Sequence, residues 1–181
     1  MKNVVILHGT SETNHSFWLP WLKKELEARD YHVSIPLLPD ANFPNLKKWL
    51  PVALKEIYTP ETILIGHSAG CPLQLSVLEN IDVKIKQTIL ISGYARSKGE
   101  KKPEKILQNT YDWQKIAKNV DDIIFINSDN DPWGCTDIEG RYMLDNIDKG
   151  KLIVMKGEGH MGSEKYNQPY KQFPFLLKLI G

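Results

Sequence analysis

Short, unbroken apolar runs alternate with amphipathic stretches along this chain. Residues 3–7, 32–37, 62–66, 86–92, 122–127 and 151–155 are rich in Val, Ile and Leu. Runs this brief and this continuous predict strands of a parallel sheet covered on both faces. Between them lie stretches with helical spacing. Residues 16–29 place Phe17, Trp18, Trp21, Leu22 and Leu26 on or near one face, and Pro20 suits an early helical turn. Residues 46–57 form a second predicted helix, in which Pro51 suggests a kink or a later start. Further helices are expected over 72–78, 111–118, 138–147 and 170–180. Strands alternating with helices imply βαβ units with right-handed crossovers. The expected fold is α/β: a three-layer sandwich around a mostly parallel sheet of about six strands, in one domain over residues 1–181.

In a sheet of this kind, sites form beyond the carboxyl ends of the strands. The polar, glycine-rich loops at 8–14, 66–70, 128–134 and 157–162 all follow predicted strands. Residues far apart in sequence should therefore meet along one edge.

One of these loops carries a pattern with chemical meaning. Gly66-His67-Ser68-Ala69-Gly70 matches G-x-S-x-G, between a predicted strand and a predicted helix. This is the setting of a nucleophile elbow, where a strained turn pushes the serine hydroxyl out and glycines remove clashing Cβ atoms. The backbone N–H of Ala69, at the helix start, would point at a developing oxyanion. By itself the pattern arises by chance in roughly one chain in twenty of this length. A serine of ordinary pKa is also a weak nucleophile, so the chemistry requires a base and an orienting acid.

Among the five histidines, His32 opens a strand and His15 lies in a loop or first helical turn. His67 lies inside the elbow and cannot easily turn onto its neighbour's hydroxyl. His8 closes the first strand and is expected to pack under the following loop. His160 follows the last strand among Gly157, Gly159 and Gly162, at the edge that holds Ser68. A neutral imidazole there could take the serine proton. Asp129, Asp131 and Asp137 all follow the fifth strand and are candidates for the acid. Asp131 precedes Pro132, which favours extended backbone, and Trp133 could shield its carboxylate. The order Ser, Asp, His is that of α/β-hydrolases. The backbone N–H of Thr10, after the first strand, is the candidate for a second oxyanion donor.

Composition changes this picture little. The chain has 181 residues, 41% hydrophobic and 25% charged, with a net charge of +1. Nothing favours nucleic acid or an anionic membrane as partner. The N-terminal apolar run is too short for a signal peptide, and no segment is long enough to span a bilayer. Cys71 and Cys135 are the only cysteines and form no C-x-x-C. A reduced, cytoplasmic setting without a zinc site is therefore expected. The lysine-rich run from Lys98 to Lys105 is interrupted by glutamate and reads as a solvated loop.

Taken together, His8-Gly9, Gly-His-Ser68-Ala-Gly, Ser-Asp-Asn-Asp131-Pro-Trp and Gly-Glu-Gly-His160 resemble the α/β-hydrolase superfamily. They resemble more closely the small cap-less serine hydrolases grouped with retinoblastoma-binding protein 9. The similarity covers almost the whole chain, including the helix around Trp18 and Trp21. The resemblance implies Ser68 as nucleophile, Asp131 as acid and His160 as base; hydrolysis by such a set needs no metal and no organic cofactor. The tumour-suppressor binding associated with that name needs L-x-C-x-E. Neither Cys71 nor Cys135 has Leu two residues before it, so that role is not carried over.

Two functions remain in play. One is hydrolysis of a small ester, thioester or amide through an acyl-enzyme, with acyl transfer as a variant. The other is a catalytically weak protein-binding module presenting the Trp133 region. No long apolar insertion suggests a cap, so an open, shallow acyl site is expected. Tyr94, Trp133 and Met161 are candidate wall residues, and residues 93–109 are either a lid or a surface loop.

Overall fold

The computed structural model describes residues 2–98 and 104–180. Its six strands are β1 (Asn3–Leu7), β2 (His32–Ser34), β3 (Ile63–His67), β4 (Ile85–Ile91), β5 (Val120–Ser128) and β6 (Lys151–Met155). They form one sheet in the order β2-β1-β3-β4-β5-β6. Every neighbouring pair is parallel. The helices between them are α1 (Leu19–Glu27), α2 (Leu46–Ala53), α3 (Gly70–Asn80), α4 (Trp113–Lys118), α5 (Asp137–Asn146) and α6 (Pro174–Leu179).

The continuous apolar strands now have a cause. In β1, Val5 and Leu7 enter one core while Val4 and Ile6 enter the other. In β3, Leu64 joins the first core, and Ile63 and Ile65 the second. Successive side chains point to opposite faces, so a strand with helices on both sides must be apolar throughout. The first core collects Trp49 of α2, Leu73 and Val77 of α3, Ile116 of α4 and Met143 of α5. The second collects Leu22 and Leu26 of α1 with Leu176 of α6, roofed by Trp18. Each fully buried side chain of this kind contributes about 1.5–3 kcal/mol. Helix α3 is buried from Gly70 to Leu78, which makes it the central helix of its layer rather than an amphipathic surface one.

Differences from the predicted boundaries follow from backbone chemistry. Helix α1 starts at Leu19 rather than residue 16, because Phe17 adopts φ 50°. Strand β2 ends at Ser34, two residues before Pro36, which has no N–H for the ladder. Helix α2 begins where its cap allows, with Asn45 Oδ1 accepting the N–H of Lys47, and it ends soon after Pro51. Helix α6 starts only at Pro174, since Tyr170 has φ 34° and Phe173 is held out of the helical region before proline.

The lysine-rich run also needs correcting at its first residue. Lys98 is tucked in, its Nζ 3.2 Å from the centroid of the Tyr94 ring and 2.9 Å from Glu104 Oε1. Residues 99–103, inside the stretch read as a lid or surface loop, lie outside the described residues. Among the described residues, no helix is long and apolar enough to cross a membrane.

Candidate active site

Segments that follow all six strands line a cleft of about 670 Å³. Thr10, Ser68, Trp133 and His160 all line it. Ser68 stands between β3 and α3 with φ 52°, a left-handed conformation that costs energy for a residue with a Cβ. The glycines on either side allow the turn to be this tight. A Cβ on Gly70 would stand 2.2 Å from the carbonyl oxygen of Leu7, and one on Gly66 would stand 2.1 Å from Gln74 Oε1. Ala69 caps α3, so its N–H is among the first of that helix.

The three aspartates after β5 separate cleanly. Asp131 is buried, and its Oδ2 lies 2.7 Å from His160 Nδ1. Its Oδ1 accepts the N–H of Trp133 at 2.8 Å. Asp129 instead accepts the N–H of Gly157 at 2.8 Å, tying the β5 and β6 loops together. Asn130 Oδ1 adds a parallel tie to the N–H of Gly159, also at 2.8 Å. Asp137 opens α5. A carboxylate at Nδ1 holds the proton there and leaves Nε2 of His160 with a lone pair. Burial drives the proton affinity of His160 below the ordinary histidine value, against the opposing pull of its bond to Asp131. That shift favours the neutral ring, the form that can accept a proton.

His8 packs beneath the first loop, its Nε2 accepting the N–H of Leu38 at 3.1 Å while Nδ1 contacts the carbonyl of Gly9 at 3.0 Å. Burial lowers its proton affinity. His15 and His32 are exposed. Of the proposed wall residues, Tyr94 and Trp133 line the cleft. Met161 does not. It is fully buried in the second core, and its carbonyl accepts the indole N–H of Trp18 at 3.0 Å.

Sequence reasoning missed several cleft residues. Phe17, Phe43 and Ile106 supply apolar wall, and Phe43 is 79% exposed at the rim. Most consequential is Glu12, which is buried and bonded to His67 Nδ1 at 2.7 Å. One signal was available: Glu12 is the only Asp, Glu, Lys or Arg between Lys2 and Lys23. A lone charge in an otherwise neutral loop that enters the site edge is a pairing candidate.

Asp131, Cys135 and His160 bring potential ligand atoms within 4.8 Å of one another. The set does not suit a metal. Both Asp131 oxygens and His160 Nδ1 are already engaged, and burial pushes the Cys135 thiol well above its usual range, so it stays protonated. Ser68, Thr10 and His160 line the same cleft.

Known proteins carry related sequences. The serine hydrolase family profile matches residues 4–179. YdeN of Bacillus subtilis (strain 168) is 35% identical over 137 residues, covering 72% of this chain and 71% of YdeN. The serine hydrolase RBBP9 of Rattus norvegicus is 27% identical over 158 residues, 83% of this chain and 81% of its own. The crystal structure of the ydeN gene product superposes with a TM-score of 0.88 at 26% identity, covering 99% of this chain and 97% of that one. The sheet and its helices are those of a minimal α/β-hydrolase fold.

Proposed function

This chain belongs to the serine hydrolase family, and from that premise we propose that it cleaves a small ester, thioester or amide through an acyl-enzyme on Ser68. One observation carries the reading. His160, held at Nδ1 by Asp131 at 2.7 Å, lines the same cleft as a serine on a strained strand-to-helix turn.

The steps follow from proton and charge bookkeeping. His160 Nε2 takes the Ser68 proton as Oγ bonds to the substrate carbonyl carbon. The carbonyl electron pair moves onto oxygen, where the N–H groups of Ala69 and Thr10 would receive it. His160, now a cation facing Asp131, returns the proton to the departing alcohol, thiol or amine as its bond to carbon breaks. Water then adds to the acyl carbon as His160 takes one of its protons; when the bond from that carbon to Ser68 Oγ breaks, His160 returns the proton to Oγ, freeing the acid and restoring the serine. No step calls for a metal or an organic cofactor. Phe17, Phe43, Ile106 and Trp133 give an apolar wall of a size suited to a small acyl or alcohol group. A cytoplasmic setting fits the two free, buried thiols, Cys71 and Cys135.

A fluorophosphonate probe tests this directly. The expected result is one covalent adduct, located by mass spectrometry on Ser68 and lost in Ser68→Ala. An unlabelled wild type would favour the binding-module reading instead.

A further inference from the structure

A second histidine–carboxylate pair lies beside the first and has no step in the reaction. His67 and Glu12 are buried, with Nδ1 2.7 Å from Glu12 Oε1. Nε2 of the same ring lies 2.9 Å from the backbone carbonyl of His160. Both ring nitrogens therefore face acceptors. A carbonyl oxygen cannot donate, and a neutral imidazole has a single N–H, so a second proton must sit on the Glu12–His67 contact. The other carboxylate oxygen, Oε2, accepts the N–H of Gly9 at 2.8 Å, a bond that favours the ionised form of Glu12.

The partners of this pair make the network informative. Gly9 adjoins Thr10 in the candidate oxyanion loop, and a Cβ on it would stand 2.9 Å from Ser68 Cβ, so loop and elbow are in close contact. The His160 carbonyl, at the other end, is also held by Ser92 Oγ at 2.9 Å. One chain of contacts thus runs from the first loop through the residue before the serine to the base. We propose that Glu12 and a doubly protonated His67 form a buried ion pair that positions both the Gly9–Thr10 turn and the His160 backbone. Both are positioning residues. This inference rests on the hydrolase reading above for its effect on rate, but not for the existence of the ion pair.

The charge has a second consequence. The His67 and His160 rings lie 5.0 Å apart, so a cation on His67 opposes protonation of His160. The other charges reaching His160 are Asp131, which is bonded to it, and Glu12, which acts more weakly than His67. Around His67 itself the remaining neighbours are the rings of Phe17 and Trp18, the carboxylate of Asp131 and the imidazole of His8. The His67 cation should therefore help keep His160 neutral and ready to act as a base.

Two measurements test this. Side-chain ¹⁵N NMR of the full chain at pH 8 should show protons on both nitrogens of His67 and on one nitrogen of His160; a single-proton His67 would overturn the ion pair. Kinetics of Glu12→Ala and Glu12→Gln read its effect. Glu12→Ala should lower kcat roughly hundredfold, less than the upper range for deleting an oxyanion donor, with KM changed less than about threefold. Glu12→Gln can still accept from Gly9 and donate to a neutral His67, so it should recover about tenfold of that loss. Its acid limb in kcat/KM should lie at higher pH than that of the wild type, because the neighbouring cation is gone. An acid limb that does not move in Glu12→Gln, or a Glu12→Ala within twofold of wild type, would overturn the proposal. Should Glu12→Ala fail to fold, the Gln variant and the NMR experiment still decide. A wild type that the fluorophosphonate fails to label would remove the hydrolase reading, leaving NMR to judge the ion pair alone.

Discussion

His160 and His67 invite comparison. Both are buried, both meet a carboxylate at 2.7 Å through Nδ1, and their rings are 5.0 Å apart. Their proton affinities nevertheless move in opposite directions. Burial lowers both, but for His67 the charge and hydrogen bond of Glu12, the carbonyl of His160 and the charge of Asp131 outweigh it, and the net shift is upward. For His160 burial prevails, and the nearby His67 adds to it. The structural difference is what faces Nε2. In His67 it is a fixed carbonyl oxygen, which holds a proton in place. The His160 ring lines the cleft, where a proton can be exchanged. A histidine–carboxylate contact alone therefore does not identify a base; the surroundings of the second nitrogen do.

The largest test of that contrast is Asp131→Asn. Asparagine can present an amide N–H to Nδ1 and favour the wrong tautomer, so kcat should fall about 10⁴-fold. The equivalent change in the second pair, Glu12→Gln, should cost only about tenfold, as expected of a group that orients others. Equal losses from the two substitutions, measured as kcat on one ester, would erase the distinction. The smallest effect is expected at Asp129→Asn. Among the described residues this exposed side chain holds the N–H of Gly157 alone, so kcat should stay within about threefold. Unfolding in urea should show a loss of about 1 kcal/mol. A thousandfold loss of rate there would move the acid from Asp131.

Much of this was legible in the sequence. Strands β1 and β3 could be located because both faces of the sheet are covered there, which leaves little room for polar residues. Ser68 could be listed from G-x-S-x-G, and Asp131 and His160 from their places after strands together with the family resemblance, since a parallel sheet delivers such loops to one edge. Element ends were less legible, since left-handed residues such as Phe17 and Tyr170 leave no mark in an apolar pattern. Met161 was a candidate wall residue, but side-chain direction in an irregular loop is not set by a period. It points into the core. Glu12 was overlooked because a glutamate among Thr, Ser and Asn reads as solvated. Its burial depends on His67, 55 residues away.

The central claim is that the sheet delivers a neutral His160 to Ser68. The most direct measurement is the rate of Ser68 labelling by a fluorophosphonate between pH 4.5 and 9. That rate should stay level above the ordinary histidine range and fall as pH drops through a single ionisation lying below about 6.5. The fall should be absent from the residual rate of His160→Gln. A wild-type rate independent of pH over the same range would contradict the account.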